Sequence, residues 1–173
     1  MRPAQAPYET VFPFNTDVRK DECTMSYTTT NEYQTFDFKD AYIAEMRLMN
    51  NSFYAYLDNV TILAENSKNR DIRQMRANNF TLKLSDATID SFIEEGYRIY
   101  NADGILAEQK PDRVLPASEY PDALKEMSEC TLYSIKKDHS CYLFSIDTDD
   151  HTYLLRITAS SDKEHWERFL TKE

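Results

Sequence analysis

Three arginines recur at every third position in the stretch from Asn69 to Arg76, which reads N-R-D-I-R-Q-M-R. Residues 66–79 carry a net charge of +3, whereas the whole chain carries −10. In a helix, Arg70, Arg73 and Arg76 would share one face, and three guanidinium groups on one face can bind a carboxylate or phosphate through paired hydrogen bonds. The same arginines can instead pair with the protein's own carboxylates and hold a long connection in place. The excess of acids favours internal pairing, and the three arginines stay a candidate binding site.

Tyrosines provide the second candidate binding surface. Tyr54 and Tyr56 alternate with apolar residues on a predicted strand, and further tyrosines fall on other predicted strands, namely Tyr42, Tyr97, Tyr100, Tyr133, Tyr142 and Tyr153. A sheet face rich in tyrosine offers flat apolar rings with hydroxyl groups, which suits a ligand cavity or a protein interface. Because tyrosine is also favoured in strands, ordinary sheet packing is the alternative. We predict that Tyr54 and Tyr56 contribute to binding.

The other ionisable residues show no spacing typical of catalysis or of a metal site. The chain has three histidines, His139, His151 and His165, without the H-x-x-x-H or H-E-x-x-H spacing of zinc sites. Asp147, Asp149 and Asp150 offer oxygen ligands in one predicted turn, yet residues 152 and 158 are threonines where a calcium-binding EF-hand loop needs glycine and glutamate. We therefore predict a protein that is not an enzyme and has no catalytic residue, no metal and no cofactor.

Composition excludes several further functions. The chain has only two glycines, Gly96 and Gly104, so it contains neither a Walker A sequence nor a G-x-G-x-x-G loop for nucleotide phosphates. A net charge of −10 and a pI near 4.8 repel nucleic acids and anionic lipids. No segment approaches the roughly 20 apolar residues of a membrane span. We predict a soluble, cytoplasmic domain whose partner, if it has one, is a protein and neither nucleic acid nor membrane.

The three cysteines, Cys23, Cys130 and Cys141, fit a reducing compartment better than a disulfide framework. The predicted turn K-K-D-H-S places Lys136 opposite Cys141 in a hairpin. Cys130 then lies about 20 Å from Cys141 at about 3.3 Å per strand residue. A disulfide between these two cysteines is excluded on this geometry.

The elements that position these residues are mainly strands. Residues 1–35 hold three prolines and no sustained apolar period, so we predict an N-terminal arm, followed by a single domain at 36–173. Alternating apolar residues around Asn50, Asn51 and Ser52 predict a hairpin, and further strands follow. Ser118 to Glu129 predicts one inserted helix.

The end of the chain is predicted to be three strands and a closing helix. Ser161 followed by Glu164 forms a capping box, and Trp166, Phe169 and Leu170 form one apolar stripe. The segment Y-L-L-R-I-T-A-S-S-D-K-E-H-W-E-R-F-L resembles the last strand and closing helix of pleckstrin-homology-like barrels, with Trp166 at the place of that family's helix tryptophan. The resemblance implies a small antiparallel barrel. Phosphoinositide binding does not follow from it, because the turn at residues 50–52 lacks the family's lysines and arginines.

A second resemblance concerns the entry into the domain. The segment F-D-F-K-D-A-Y-I looks like the first strand of small bacterial immunity-type proteins, which implies an inhibitor that presents an acidic surface to a basic toxin. The sequence thus predicts an α+β fold, mainly antiparallel β, built as a small barrel or a two-layer sandwich. Its predicted function is that of a soluble bacterial-type binding module for a protein or small ligand, with the immunity-type inhibitor as the alternative.

Overall fold

A computed structural model describes residues 25–171 and shows mainly antiparallel sheet with a single short α-helix. The strands are β1 (Tyr27–Thr30), β2 (Phe36–Asp37), β3 (Ala41–Met49), β4 (Ser52–Asp58), β5 (Val60–Ile62), β6 (Met75–Ala77), β7 (Phe80–Ser85), β8 (Thr88–Glu94), β9 (Tyr97–Tyr100), β10 (Leu106–Lys110), β11 (Arg113–Val114), β12 (Thr131–Asp138), β13 (Cys141–Asp147), β14 (Thr152–Thr158), β15 (Ser161–Trp166) and β16 (Leu170–Thr171). The α-helix, α1, is Tyr120–Glu126, and two 3₁₀ turns lie at Tyr33–Thr35 and Ala117–Glu119.

The strands form three sheets. The largest has ten strands in the order β1-β15-β7-β4-β3-β12-β13-β14-β8-β11. The second contains β16, β6, β5 and β2, and the third is the hairpin of β9 and β10. Because β1 and β11 are free edges of the ten-stranded sheet, the sheet is open, and the predicted barrel is wrong.

The ten-stranded sheet is folded across its middle. Its two halves join at β3 and β12, where only two residue pairs are in register. The rings of Phe53 on β4 and Phe144 on β13 lie 5.5 Å apart, although these strands are three places apart in the sheet. In a flat sheet, three places correspond to about 14 Å. The two rings therefore join strands that are distant in sheet order, and both belong to the cluster of buried residues that forms the core.

The hairpin predicted around residues 50–52 is confirmed. β3 and β4 pair in antiparallel register, and the turn consists of Asn50 and Asn51, whose φ angles are 51° and 56°. A two-residue turn that continues the right-handed twist of the strands needs positive φ at both positions, and asparagine tolerates this better than most residues.

The predicted closing helix is wrong, because Ser161–Trp166 is strand β15 between β1 and β7. Its alternate residues Asp162, Glu164 and Trp166 are fully buried, which is the period of a strand. Glu164 does not close a capping box, since its carboxylate accepts a hydrogen bond from Thr29 on β1 at 2.7 Å. The element that carried the resemblance to pleckstrin-homology-like barrels is therefore a strand of an open sheet.

The inserted helix predicted at 118–129 is confirmed but is shorter. α1 has Pro121 in its first turn and buries Leu124, as the pattern predicts, whereas no side chain caps its first residue. At seven residues it is the single α-helix among the described residues, and no helix there is long and apolar enough to cross a membrane.

The three strands predicted before the chain end are confirmed as β12, β13 and β14, with a different register. Asp138, rather than Lys136, lies opposite Cys141. Cys130 and Cys141 are free thiols, while Cys23 lies outside the described residues. Most of the N-terminal arm predicted at residues 1–35 also lies outside the described residues. Its described part contains β1, which pairs with β15 at the sheet edge.

Candidate binding surfaces

The two candidate tyrosines lie next to each other on the outer side of β4. Tyr54 and Tyr56 alternate with Phe53, Ala55 and Leu57, which are buried. The two tyrosine rings are stacked, with centroids 6.3 Å apart and an interplanar angle of 9°. The strand period therefore brings together the pair that the sequence singles out.

Cationic side chains lie over both tyrosine rings. Arg47 on β3 donates from Nη2 to the hydroxyl of Tyr56 at 2.6 Å, and its Cζ lies 5.0 Å from that ring's centroid. Lys83 on β7 places its Nζ 5.6 Å from the centroid of Tyr54. Both distances lie within the range of cation–π attraction. The hydrogen bond that Arg47 donates to Tyr56 is the main cause that raises the pKa of Arg47.

Strand register extends this pair into a row. Arg47 lies opposite Tyr54, Tyr54 opposite Lys83, and Lys83 opposite Lys163 on β15. The neighbouring row contains Glu45, Tyr56, Thr81 and His165. We call the five residues Arg47, Tyr54, Tyr56, Lys83 and Lys163 the tyrosine-cation face. Adjacent strands are about 4.8 Å apart, so the face spans four strands, three of which carry one cation each.

The tyrosine-cation face is locally positive on a protein whose net charge is −10. Within the two rows, the single carboxylate is that of Glu45, 3.6 Å from Arg47. Sequence reasoning could have found Arg47 from the register that the turn at residues 50–51 imposes, whereas the place of Lys83 depends on the pairing of β7 with β4. It missed Lys163, because the segment that contains this lysine was predicted to be a helix.

The arginine stretch is not helical, which corrects the prediction of a shared helical face. Asn69 Oδ1 accepts a hydrogen bond from the amide of Asp71 at 3.0 Å, and Asp71 Oδ1 accepts one from the amide of Arg73 at 3.1 Å. Asn69 Nδ2 also donates to the carbonyls of Leu63 and Arg73. These short-range side-chain bonds occupy backbone groups that a helix needs, so they replace the helical turn.

The structure does not bring the three arginines together on one regular face. Arg70 and Arg73 are exposed in the loop, whereas Arg76 lies on β6, half-buried, opposite Thr61 and Leu170. None of the ion pairs among residues 25–171 includes these arginines. The internal pairing that the sequence favours is therefore not found within the described part of the chain.

A cavity of about 520 Å³ lies where the end of α1 meets the β13–β14 turn. It is lined by five carboxylates and no lysine or arginine, the carboxylates being those of Glu126, Glu129, Asp147, Asp149 and Asp150. We call it the acidic cavity. Among the described residues, no three His, Cys, Asp or Glu side chains are arranged to hold a metal ion. The acidic cavity is thus a site of negative potential, suited to a cationic group of a ligand.

Two residues in the acidic cavity could supply a nucleophile and a base, but their environments oppose this. Burial raises the pKa of the Cys130 thiol, and nearby Asp149 and Glu129 raise it further, which disfavours the reactive thiolate. His151 is oriented toward Glu94, with 3.6 Å between Nε2 and Oε1, and its buried Nδ1 has no hydrogen-bond partner. The Cys130 thiol donates to the carbonyl oxygens of Glu126 and Ser128, at 3.6 and 3.8 Å, and no hydrogen bond joins it to His151 among the described residues.

Glu94 is a buried carboxylate that no sequence pattern indicates. It accepts a hydrogen bond from Lys110 Nζ at 2.5 Å and lies 3.4 Å from Arg113 Nη1. The hydrogen bond from Lys110 lowers the pKa of Glu94 most, with Arg113 and His151 adding to the effect. Glu94 therefore stays ionised and links β8 to β10 and β11.

A second buried acidic group lies between the two halves of the sheet. Asp162 Oδ2 accepts hydrogen bonds from Lys137 Nζ and from the hydroxyl of Tyr142, each at 2.5 Å. Burial raises the pKa of Glu164 to about 8, and a hydrogen bond with Asp162 contributes. The Oε1 of Glu164 has no hydrogen-bond partner among the described residues, and a proton on Glu164 avoids an unpaired negative charge at this buried position.

Comparison of the chain with models of known protein families, with curated protein sequences and with solved structures finds no match in any of the three.

Proposed function

We propose that the protein is a non-enzymatic binding module and that the tyrosine-cation face binds an acidic segment of a partner protein. The observation that carries this proposal is the row of Arg47, Tyr54, Lys83 and Lys163, which strand register aligns across four strands. The rest of the molecule carries the large excess of negative charge. A partner with carboxylates is therefore attracted to this face and repelled elsewhere.

The tyrosines give the proposed face a contact that does not depend on charge. Tyr54 and Tyr56 are half-buried and hold their rings parallel, so little side-chain entropy is lost when a partner covers them. Arg47 keeps further guanidinium N–H groups beyond the one bound to Tyr56, and these can bind a carboxylate in bidentate fashion. Arginine and tyrosine are both enriched at the centres of protein interfaces.

The fold that we propose to support this face is a two-layer sandwich, the second of the architectures predicted from sequence. The contact between Phe53 and Phe144 and the bond between Lys137 and Asp162 both join strands that are distant in sheet order, which supports the arrangement. A cytoplasmic location stays a prediction, supported by the free thiols of Cys130 and Cys141.

The test uses a fluorescently labelled poly-glutamate peptide and fluorescence anisotropy at low salt. We expect binding by the wild type. The Arg47→Ala/Lys83→Ala/Lys163→Ala variant should lose at least about tenfold in affinity, since it lacks three cationic side chains that can bind the glutamate carboxylates. The matched control is Lys39→Ala/Lys136→Ala/Arg156→Ala, which removes the same charge from exposed positions elsewhere. Equal loss in both variants, or no binding by the wild type, would overturn the proposal.

A second candidate function has its own observation. The acidic cavity places five carboxylates around about 520 Å³ without a lysine or arginine in its lining, which supports an inhibitor that accepts a basic side chain of a toxin. Labelled poly-lysine is the probe for this function. The Asp147→Asn/Asp149→Asn/Asp150→Asn variant should bind it at least about tenfold more weakly than a variant with three exposed carboxylates neutralised at Asp40, Asp86 and Asp90.

A further inference from the structure

The hairpin of β9 and β10 is the part of the described chain that shows the most exposed apolar surface. Its two strands pair only with each other. Five large apolar side chains of the hairpin are between 37% and 63% exposed, namely Tyr97, Ile99, Tyr100, Ile105 and Leu106. A two-stranded hairpin in water is marginally stable at best, so such a group of side chains is expected to be covered.

The exposed side chains lie on both sides of the hairpin. Tyr97 and Ile99 share one side, while Tyr100 and its cross-strand partner Leu106 share the other. The backbone bonds of the hairpin beyond its own ladder are two bonds in the turn, from Asn101 to Ile105 and from Gly104 to Asn101. Both outer edges therefore keep unpaired backbone groups within the described residues, and these groups can accept a further strand.

The base of the hairpin is held firmly to the rest of the molecule. A Cβ at Gly96 would lie 2.0 Å from the carbonyl oxygen of Lys110, so glycine permits the close approach of the two chains. The amide of Gly96 donates to Asp112 at 2.8 Å, and Lys110 binds the buried carboxylate of Glu94. The hairpin is thus presented in a fixed position, which lowers the entropy cost of docking it.

Charge identifies the occupant that this surface fits. Residues 97–110 contain Arg98, Asp103, Glu108 and Lys110, so their net charge is zero in a chain of −10. Two copies of this chain repel each other over most of their surfaces, and a neutral hairpin is the place where they approach at the lowest electrostatic cost. Its exposed Arg98 and Asp103 carry one charge of each sign and also allow self-complementary pairing about a two-fold axis.

We propose that two copies of this chain associate through their β9–β10 hairpins, edge to edge, to form one four-stranded antiparallel sheet. The association pairs backbone groups along one edge of each hairpin and gives a sheet with more than the two strands that are marginal alone. Apolar side chains on both sides then gain cross-strand neighbours from the other copy. The surface is separate from the tyrosine-cation face, so this proposal goes beyond the proposed function and does not depend on it.

The first test measures molar mass by light scattering and sedimentation over a concentration series. We expect the wild type to shift from monomer to dimer as concentration rises. Ile99→Lys/Leu106→Lys places one charge on each side of the hairpin and should weaken the dimer by more than about tenfold. The matched control is Leu48→Lys/Ile72→Lys, at exposed apolar positions outside the hairpin, and it should dimerise like the wild type.

The second test uses only the wild type and so does not depend on whether the variant folds. Hydrogen exchange of the β9 and β10 amides should slow by at least about tenfold between the monomeric and the dimeric concentration, because edge amides become bonded. The proposal is overturned if the wild type is monomeric throughout, if exchange does not depend on concentration, or if the control variant loses the dimer equally. A dimer that the Ile99→Lys/Leu106→Lys variant keeps would overturn it as well.

Discussion

The tyrosine-cation face and the arginine stretch each contain three cationic side chains, but the structure holds them in different ways. On the face, Arg47, Lys83 and Lys163 have positions fixed by strand register, and Arg47 and Lys83 lie over tyrosine rings. In the stretch, the side chains of Asn69 and Asp71 hydrogen-bond to the backbone and fix it. The arginine side chains form no ion pair with any described acid. Three cationic side chains thus form a regular surface on the paired strands, whereas three arginines in and beside the loop do not.

The largest expected effect comes from removing the buried carboxylate of Asp162, which lies next to Lys163 on β15. Asp162→Ala leaves Lys137, the Tyr142 hydroxyl and the amide of Tyr33 without their acceptor. Removing one partner of a buried charged pair costs about 3 to 5 kcal/mol, so urea denaturation should show a loss in the free energy of unfolding at the lower end of this range. Asp138→Ala, at an exposed position on β12, is the control and should change little.

The next effect is a pH dependence that comes from Glu164, which is fully buried on β15 beside Lys163. Its pKa is raised from 4.5 to about 8 in the folded protein, so the folded state binds more protons than the unfolded state between these values. The contribution of Glu164 to stability is therefore fully present below about pH 4.5 and falls as pH rises toward about 8. The slope is at most about 1.4 kcal/mol per pH unit.

Glu164→Gln tests this assignment, because the amide is neutral at all pH values and its oxygen can still accept the hydrogen bond from Thr29. Denaturation series from pH 5 to pH 8 should show a smaller slope for the variant than for the wild type. Equal slopes in the two proteins would show that another group titrates over this range.

The arginine stretch should respond to loss of an asparagine more than to loss of arginines. Asn69→Ala removes the acceptor for the amide of Asp71 and the donor to the carbonyls of Leu63 and Arg73. We expect a loss of about 1 kcal/mol in the free energy of unfolding, measured by denaturant titration. Asn78→Ala removes the acceptor of one hydrogen bond, donated by the backbone amide of Asn59 in another loop, so it is the comparison and should cost less.

The smallest effect is expected for the arginines themselves. Arg70→Ala/Arg73→Ala should leave the melting temperature unchanged within about 1 °C, because exposed side chains without ion pairs contribute little to stability. The same double variant should bind poly-glutamate nearly as well as the wild type, in contrast to the variant of the tyrosine-cation face. A large loss of poly-glutamate binding in this variant would indicate that the arginine stretch, and not the tyrosine-cation face, is the binding site.

Local patterns predicted much of the sheet. The hairpin of β3 and β4, strand β7, the inserted helix and the strands β12 to β14 follow from apolar period and turn residues. The prediction of a closing helix was wrong because Asp162 and Glu164 lie on the buried side of a strand. An interpretation from apolar periodicity places charged residues at the surface. Only their partners Lys137, Tyr142 and Thr29, which are distant in sequence, make this burial favourable.

The sequence by itself determined the antiparallel β class, the strands with clear alternation and the adjacency of Tyr54 and Tyr56, because each depends on neighbours along the chain. Only the tertiary structure decided that the sheet is open, that Lys163 joins the row of Arg47 and Lys83, and that the β9–β10 hairpin is exposed on both sides. These features depend on which strands pair across long distances in sequence. Such pairing depends on the burial of apolar and polar groups over the whole fold, and a pattern of neighbouring residues does not contain this information.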